Sequence, residues 1–254
     1  MDSNLTSPIT QNIQDTSPFG GEEPTNQHPW RLSREECVFG FLKGKKLQNL
    51  ADIGVNDMYY TKRLKSFSET GNVYAVDVFF PEEGTVKHGI KCINDISKLP
   101  ENEIDCAIMM DVLEHIEDDS SFFKTIVAKL KPGATILITV PAFQFLFSAH
   151  DKKHLHFRRY NRKQLLKVLK QDFVEIERCH YFYTSLFLIR LLMCLKKKKF
   201  DGNDTKNWKY DEKHIITVIF KKLLSLDFTI NKILNTFSIH LPGLSLLAVC
   251  KKTQ

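Results

Sequence analysis

Between Leu47 and Val140, short runs that are almost wholly apolar alternate with segments of helical spacing. Leu47 to Ile53, Val73 to Asp77, His88 to Ile93, Asp105 to Met110 and Ala134 to Val140 read as strands. Tyr59 to Phe67 and Ser120 to Leu130 read as helices, the second with apolar residues at 122, 123, 126, 127 and 130. Lys131-Pro132-Gly133 is expected to stop that helix. Strands without a polar face must be covered on both sides, which predicts an α/β fold with a parallel sheet between helices. Such sheets bind ligands at the carboxyl ends of their strands. The polar residues that follow the strands therefore deserve the closest reading: Asp52 to Asp57, Asp77, Asn94-Asp95, Asp111, and Pro141 onward.

The rest of the chain frames this core. Residues 1–27, rich in Ser, Thr, Asn, Gln, Pro and Gly, are expected to be a tail without fixed structure. Residues 28–254 form the domain, with its core at 45–180 and 240–254 and a helical insertion at 182–238. Ser33 is placed as the N-cap of a helix that runs to Leu42, with Glu36 completing a capping box. Asn161 caps a helix to Lys170, Phe173 to Tyr181 is a strand, and Leu244 to Cys250 is the last strand. Within the insertion, the apolar run Phe182 to Leu195 is followed by Lys196 to Lys199, and Asp201 to Lys213 is polar. His214 to Phe237 is helical and carries Lys221 and Lys222 after Ile215 to Phe220.

Thirty-six Lys and Arg against 30 Asp and Glu in 254 residues give a charge of +6, too small to imply a nucleic-acid partner. The six cysteines, at 37, 92, 106, 179, 194 and 250, form no C-x-x-C pair, which excludes a zinc ribbon. They are expected to be reduced, buried thiols. No apolar run reaches the roughly 18 residues of a membrane span. The first residues lack a secretory pattern, so a cytoplasmic location is expected.

A strand, the Gly54 turn, a helix, and then Asp77, 25 residues after Asp52, describe a nucleotide site. The turn lets backbone approach the ligand, and the acid accepts from ribose hydroxyls. Further on come Asp111-Val112-Leu113-Glu114-His115-Ile116, Leu130-Lys131-Pro132-Gly133 and Ile138-Thr139-Val140-Pro141. In this order the motifs resemble the class I S-adenosylmethionine-dependent methyltransferases, over about Trp30 to Tyr160 plus the final strand. The stretch from Val140 to Tyr160 is similar to a bacterial branch met beside glycan- and lipid-modifying enzymes.

The resemblance implies a Rossmann-like sheet of seven strands, the last antiparallel, and S-adenosyl-L-methionine as cofactor. It implies that Asp52, Gly54 and Asn56 hold the methionine end. It gives Asp77 the ribose, with Val78 beside the adenine, and gives Asp95 and Ile96 the adenine amino group and ring face. Asp111 and Val112 lie against the methionine moiety. A sulfonium bearing an ammonium group favours such carboxylates. One departure stands out. The family's first motif usually has two or three glycines, whereas Asn56 and Met58 stand where the second and third are expected. Asn56 tolerates positive φ, but Met58 brings bulk, so the alternative reading is a methyltransferase-fold binding protein with weak or lost turnover.

Methyl transfer depends mainly on alignment, and a base matters where the acceptor is a hydroxyl or protonated amine. His150 and His156, in the loop after the fifth core strand, are the candidate catalytic residues. His115, Asp151, Arg158, Arg159 and Tyr160 are the candidates for substrate binding. Asp151, His150, His154 and His156 are four potential ligands in seven residues, but their spacing predicts no open three-ligand geometry, so no metal is expected. The two apolar segments followed by lysines fit a small-molecule or lipid-linked acceptor, such as a sugar or lipid-linked glycan, with peripheral contact at an anionic inner-membrane surface. A nicotinamide oxidoreductase is disfavoured because no G-x-G-x-x-G follows the first strand. A nucleic-acid methyltransferase is disfavoured because no N-P-P-Y-like run follows the fourth.

Overall fold

Alternation along each central strand decides the layers. In β1 (Leu47–Ile53) and β5 (Ile104–Met110), Ala51, Ile53, Ala107 and Met109 enter one core, and Leu50, Cys106 and Ile108 enter the other. Successive side chains point to opposite faces of a strand, so a strand apolar throughout feeds two cores at once. The computed structural model describes residues 28–55, 58–195 and 214–254. The expected tail at 1–27, Asn56, the Lys196 to Lys199 run and the segment 201–213 lie outside the described residues.

The remaining strands are β2 (Ser68–Val76), β3 (Thr85–Lys87), β4 (Ile90–Ile93), β6 (Leu130–Pro141), β7 (Val174–Phe182) and β8 (Ser245–Lys252). The sheet order is β3-β4-β2-β1-β5-β6-β8-β7. β4, β2, β1, β5 and β6 pair in parallel, and β8 runs antiparallel between β6 and β7. The fold is the expected Rossmann-like sheet, with eight strands rather than seven. The extra one is β3, which makes a tight antiparallel hairpin with β4 through His88 and Gly89, both at positive φ. His88 is thus a turn residue and not the start of a strand.

On one face lie α3 (Asp119–Lys129) and α5 (Arg162–Leu169), capped by Asp118 and by Asn161 with Gln164. On the other lie α1 (Pro29–Phe39), α2 (Tyr59–Leu64) and α7 (Ile215–Thr236). Three boundaries differ from the sequence reading. α1 begins at Pro29, capped by the His28 ring, which accepts from the Trp30 amide at 3.1 Å. Ser33 is therefore inside the helix, fully buried, and accepts from the Tyr183 hydroxyl at 3.1 Å. Lys131-Pro132-Gly133 lies within β6, in a register shift against β5, because α3 already ends at Lys129. Gly71 lies inside β2 rather than ahead of it.

α4 (Ala149–Lys153) follows β6, and α6 (Thr184–Leu195) joins α7 between β7 and β8. The Asp227 carboxylate of α7 accepts from the amides of Thr184 and Ser185 and so caps α6. Cys92, Cys106, Cys179 and Cys250 are buried, whereas Cys37 is half-buried and Cys194 exposed.

Candidate active site

The loop after β1 is shaped by one glycine. Gly54 has φ +76°, and a Cβ there would stand 2.6 Å from Cγ2 of Val112. Its amide donates to the Val76 carbonyl at 2.8 Å, which draws the loop over the end of β2. Gly54, Val112 and the start of the Asp77 turn are thereby brought together. Met58 also has positive φ, 59°, as a glycine at its position would permit. Its side chain is buried with Val55, Leu64 and Phe80. The expectation that Met58 adds bulk beside the cofactor is corrected, because the side chain fills the core under α2.

Asp77 follows β2, with its amide bonded to the Ile93 carbonyl at 3.0 Å. One carboxylate oxygen accepts from the Phe79 amide at 3.1 Å, and no cation pairs with it among the described residues. Burial pushes its pKa up to about 6. Val78 beside it is 76% exposed. Asp95 is exposed, and hydrogen bonds from the Ser97 side chain and then the Ser97 amide hold its carboxyl below the usual range; Ile96 is half-buried.

The two other strand-end acids are already bonded. Asp52 is buried and accepts from the Thr61 hydroxyl of α2 at 2.5 Å. Asp111 meets Arg34 of α1, whose Nη1 donates to it at 2.5 Å and whose Nη2 donates to the Thr139 hydroxyl. Arg34 is 2% exposed and stacks 4.7 Å from the Trp30 ring centroid. Asp52 and Asp111, expected at the methionine end of the cofactor, thus each already have a hydrogen-bond partner within the protein. Sequence reasoning missed Arg34. The available signal was an arginine four residues from both Trp30 and Val38, on the apolar face of α1.

In the segment after β6, Asp151 is fully buried and accepts from Ser148, from Arg159 (Nε 2.7 Å, Nη2 3.1 Å) and from His156 Nδ1 at 3.1 Å. Burial alone would raise its pKa, but the His156 and Arg159 bonds hold the carboxyl well below the usual range. Arg159 also reaches the Ala142 carbonyl at 3.4 Å. Arg158 bonds Asp119 and the Glu117 carbonyl, and the buried Tyr160 hydroxyl donates to Asp119 and the Leu113 carbonyl. Asp151, Arg158, Arg159 and Tyr160, expected to bind substrate, therefore spend their polar groups on the scaffold. His150 is exposed, with its ring 4.3 Å from that of His154.

His115 and His156 do meet, with ring centroids 4.6 Å apart and planes at 88°. Desolvation, then the neighbouring His156, lowers the His115 pKa to about 4, although the residue as a whole is exposed. Glu114 beside them is completely buried, and neither carboxylate oxygen has a hydrogen-bond partner. Burial and then the Asp111 charge raise its pKa well above the ordinary value. Donor atoms of Glu114, His115 and His156 lie within 4.8 Å of one another.

Residues 38–192 match the family model described as "Methyltransferase domain". The chain belongs to that family, the class I S-adenosylmethionine-dependent methyltransferases. No curated protein matches the sequence. Solved structures share the fold at low identity. An S-adenosylmethionine-dependent methyltransferase from Mesorhizobium loti aligns with TM-score 0.52 and 14% identity, covering 88% of this chain and 97% of that one. The phosphoethanolamine N-methyltransferase 2 of Haemonchus contortus aligns with TM-score 0.52 and 17% identity over 87% of this chain and 52% of its own. A geranyl diphosphate methyltransferase aligns with TM-score 0.53 and 8% identity over 94% and 95%.

The residues present fit S-adenosylmethionine. Gly54 packs its backbone against the Val112 side chain with no room for a Cβ, and Asp77 is a half-buried acid with one amide donor, which suits an acceptor for hydroxyl donors. When bound, the cofactor supplies an electrophilic methyl group on a sulfonium. The chain's own contribution is orientation. Gly54 packs against Val112, which ties the end of β1 to the end of β5, and Arg34 holds Asp111 in place.

Proposed function

We propose that the methyl acceptor is a small molecule carried on a lipid or held at a membrane surface, with a sugar or lipid-linked glycan as its class. The observation that supports this is the outer face of α7. Ile216, Ile219, Leu223, Leu226, Ile230, Ile233 and Phe237 are all exposed, at alternating spacings of three and four residues. Thr217, Leu224, Phe228 and Asn231 on the opposite side are buried. A helix apolar on its core face needs no second apolar stripe, and a large exposed patch marks an interaction surface. Leu188, Ile189 and Leu192 of α6 are exposed as well. No helix among the described residues is long and apolar enough to cross a membrane, so an interfacial position suits this stripe. Lys222 and the Lys196 to Lys199 run add positive charge for an anionic surface.

The test has two arms. Wild-type protein should cosediment with anionic vesicles, and Leu223→Ser/Leu226→Ser should release it without changing cofactor affinity. Label from methyl-tritiated cofactor should enter the organic phase of a bacterial lipid extract. Protein that ignores vesicles, and that the same double substitution converts from dimer to monomer by light scattering, would assign the stripe to self-association instead.

A further inference from the structure

We propose that Glu114, His115 and His156 form a binding site for a divalent transition-metal cation on the acceptor side of the crevice. The spacing along the chain hides it, because two of the three ligands follow β5 and the third follows α4.

Three observations carry this. The donor atoms of the three side chains lie within 4.8 Å of one another. Around an ion with bonds of about 2.1 Å, tetrahedral donors stand about 3.4 Å apart. Binding an ion therefore requires side-chain rotation that draws the three donors together. Second, Glu114 is completely buried, yet both its oxygens lack a donor. A carboxylate at that depth is normally paired or bound to a metal. The nearby charges do not pair with it, since Arg34 is bonded to Asp111 and Arg159 to Asp151. Third, His156 has Nδ1 3.1 Å from the Asp151 carboxylate. That contact fixes Nδ1 as the protonated nitrogen and leaves the Nε2 lone pair free. A carboxylate behind a ligating imidazole is the usual support of a metal-bound histidine. Asp151 is thus a positioning residue, held in turn by Arg159 and Ser148.

Two imidazoles and one carboxylate suit zinc, cobalt, manganese or iron(II) rather than the all-oxygen preference of calcium or magnesium. Three ligands leave a coordination position open, and an acceptor hydroxyl or phosphate oxygen is the class of ligand it would take. That last step rests on the acceptor lying on this side of the crevice, whereas cation binding stands without it.

The experiment uses the full chain, stripped with a chelator and titrated with Co2+ by calorimetry and by visible absorption. Wild type should bind one ion with ligand-field bands of reduced coordination number. Glu114→Gln and His115→Asn should each weaken Co2+ by about a hundredfold or more. His115 is exposed, so its variant keeps the fold, and both should bind S-adenosylhomocysteine as wild type does. Absence of Co2+ binding at millimolar concentration overturns the proposal. So does binding that survives in both variants, which moves the ion to His150 and His154. Neither result touches the methyltransferase assignment, which S-adenosylhomocysteine binding reads separately.

Discussion

Asp77, after β2, and Asp151, after β6, are carboxylates that each follow a parallel strand of the sheet, and the protein treats them in opposite ways. Asp151 is fully buried and receives bonds from Arg159, His156 and Ser148, which keep it ionised far into acid. Asp77 is half-buried, receives one backbone amide and has its pKa raised to about 6. Donors in surplus mark a scaffold group. Donors in deficit mark a group whose partners arrive with a ligand. Asp77 is left open for a ligand, whereas Asp151, like Asp52 and Asp111, is already bonded within the protein.

The comparison breaks most visibly at Arg159. Arg159→Met leaves Asp151 charged and buried without its bidentate partner, which should cost about 3–5 kcal/mol in urea denaturation at pH 7. The sign with pH follows from a depressed carboxyl. Its stabilisation is complete above the unfolded value of 3.8 and is lost as pH falls below it. The gap between variant and wild type should therefore narrow below about pH 3.8. A gap that is constant down to pH 2.5 would mean that packing, not charge, is what Arg159 contributes.

Gly54 gives the next largest effect. Gly54→Ala forces an L-residue into φ +76° and drives its Cβ to 2.6 Å from Val112. The backbone cost alone is about 1–2 kcal/mol, and S-adenosylhomocysteine affinity should fall with it. Gly54→Ala/Val112→Ala removes the clash and keeps the strain, so calorimetry should show partial recovery. Full recovery, or none, would separate the two causes differently.

Asp77→Asn should weaken S-adenosylhomocysteine by roughly ten- to hundredfold and leave the ligand-free fold no less stable. An acid whose pKa is raised on folding costs stability once ionised, so this variant should gain about 1 kcal/mol at pH 8, discounted for solvent screening. The gain should fade as pH falls toward 4. Thermal melts across that range read it directly. Arg158→Gln should give the smallest effect, under about 1 kcal/mol, because the Asp119 pair is partly solvent-exposed and Tyr160 still holds Asp119.

The contrast between the two acids also explains what the sequence could tell. Strand ends are legible because a continuous apolar run followed by an acid leaves few places for the acid to go, and the Rossmann-like layers follow from the same runs. Gly54 and Asp77 lie where that logic puts them. The β3 hairpin was not legible, since three residues in an edge strand carry no periodicity. Arg34 escaped because the start of α1 is set by His28 and Pro29, and a helix begun at Ser33 leaves Arg34 in the first turn, out of the buried stripe. The Glu114, His115 and His156 cluster escaped for a different reason. His156 is about 40 residues from the adjacent pair Glu114 and His115, and the return of the chain after β6 alone joins them. The loop from His150 to Tyr160 resembled a row of substrate ligands because charge and hydrogen-bonding capacity are visible in sequence, whereas their internal satisfaction is not.

The central claim is that Asp77 is the open acceptor of a cofactor crevice, and the pH dependence of S-adenosylhomocysteine affinity tests it most directly. Calorimetry between pH 5 and 8 should give wild-type affinity that is constant above about pH 7 and falls as pH drops through 6, where Asp77 becomes protonated. Asp77→Asn should bind more weakly and show no step near pH 6. A wild-type profile flat from pH 8 to 5, or an Asp77→Asn profile that overlays it, would contradict the account.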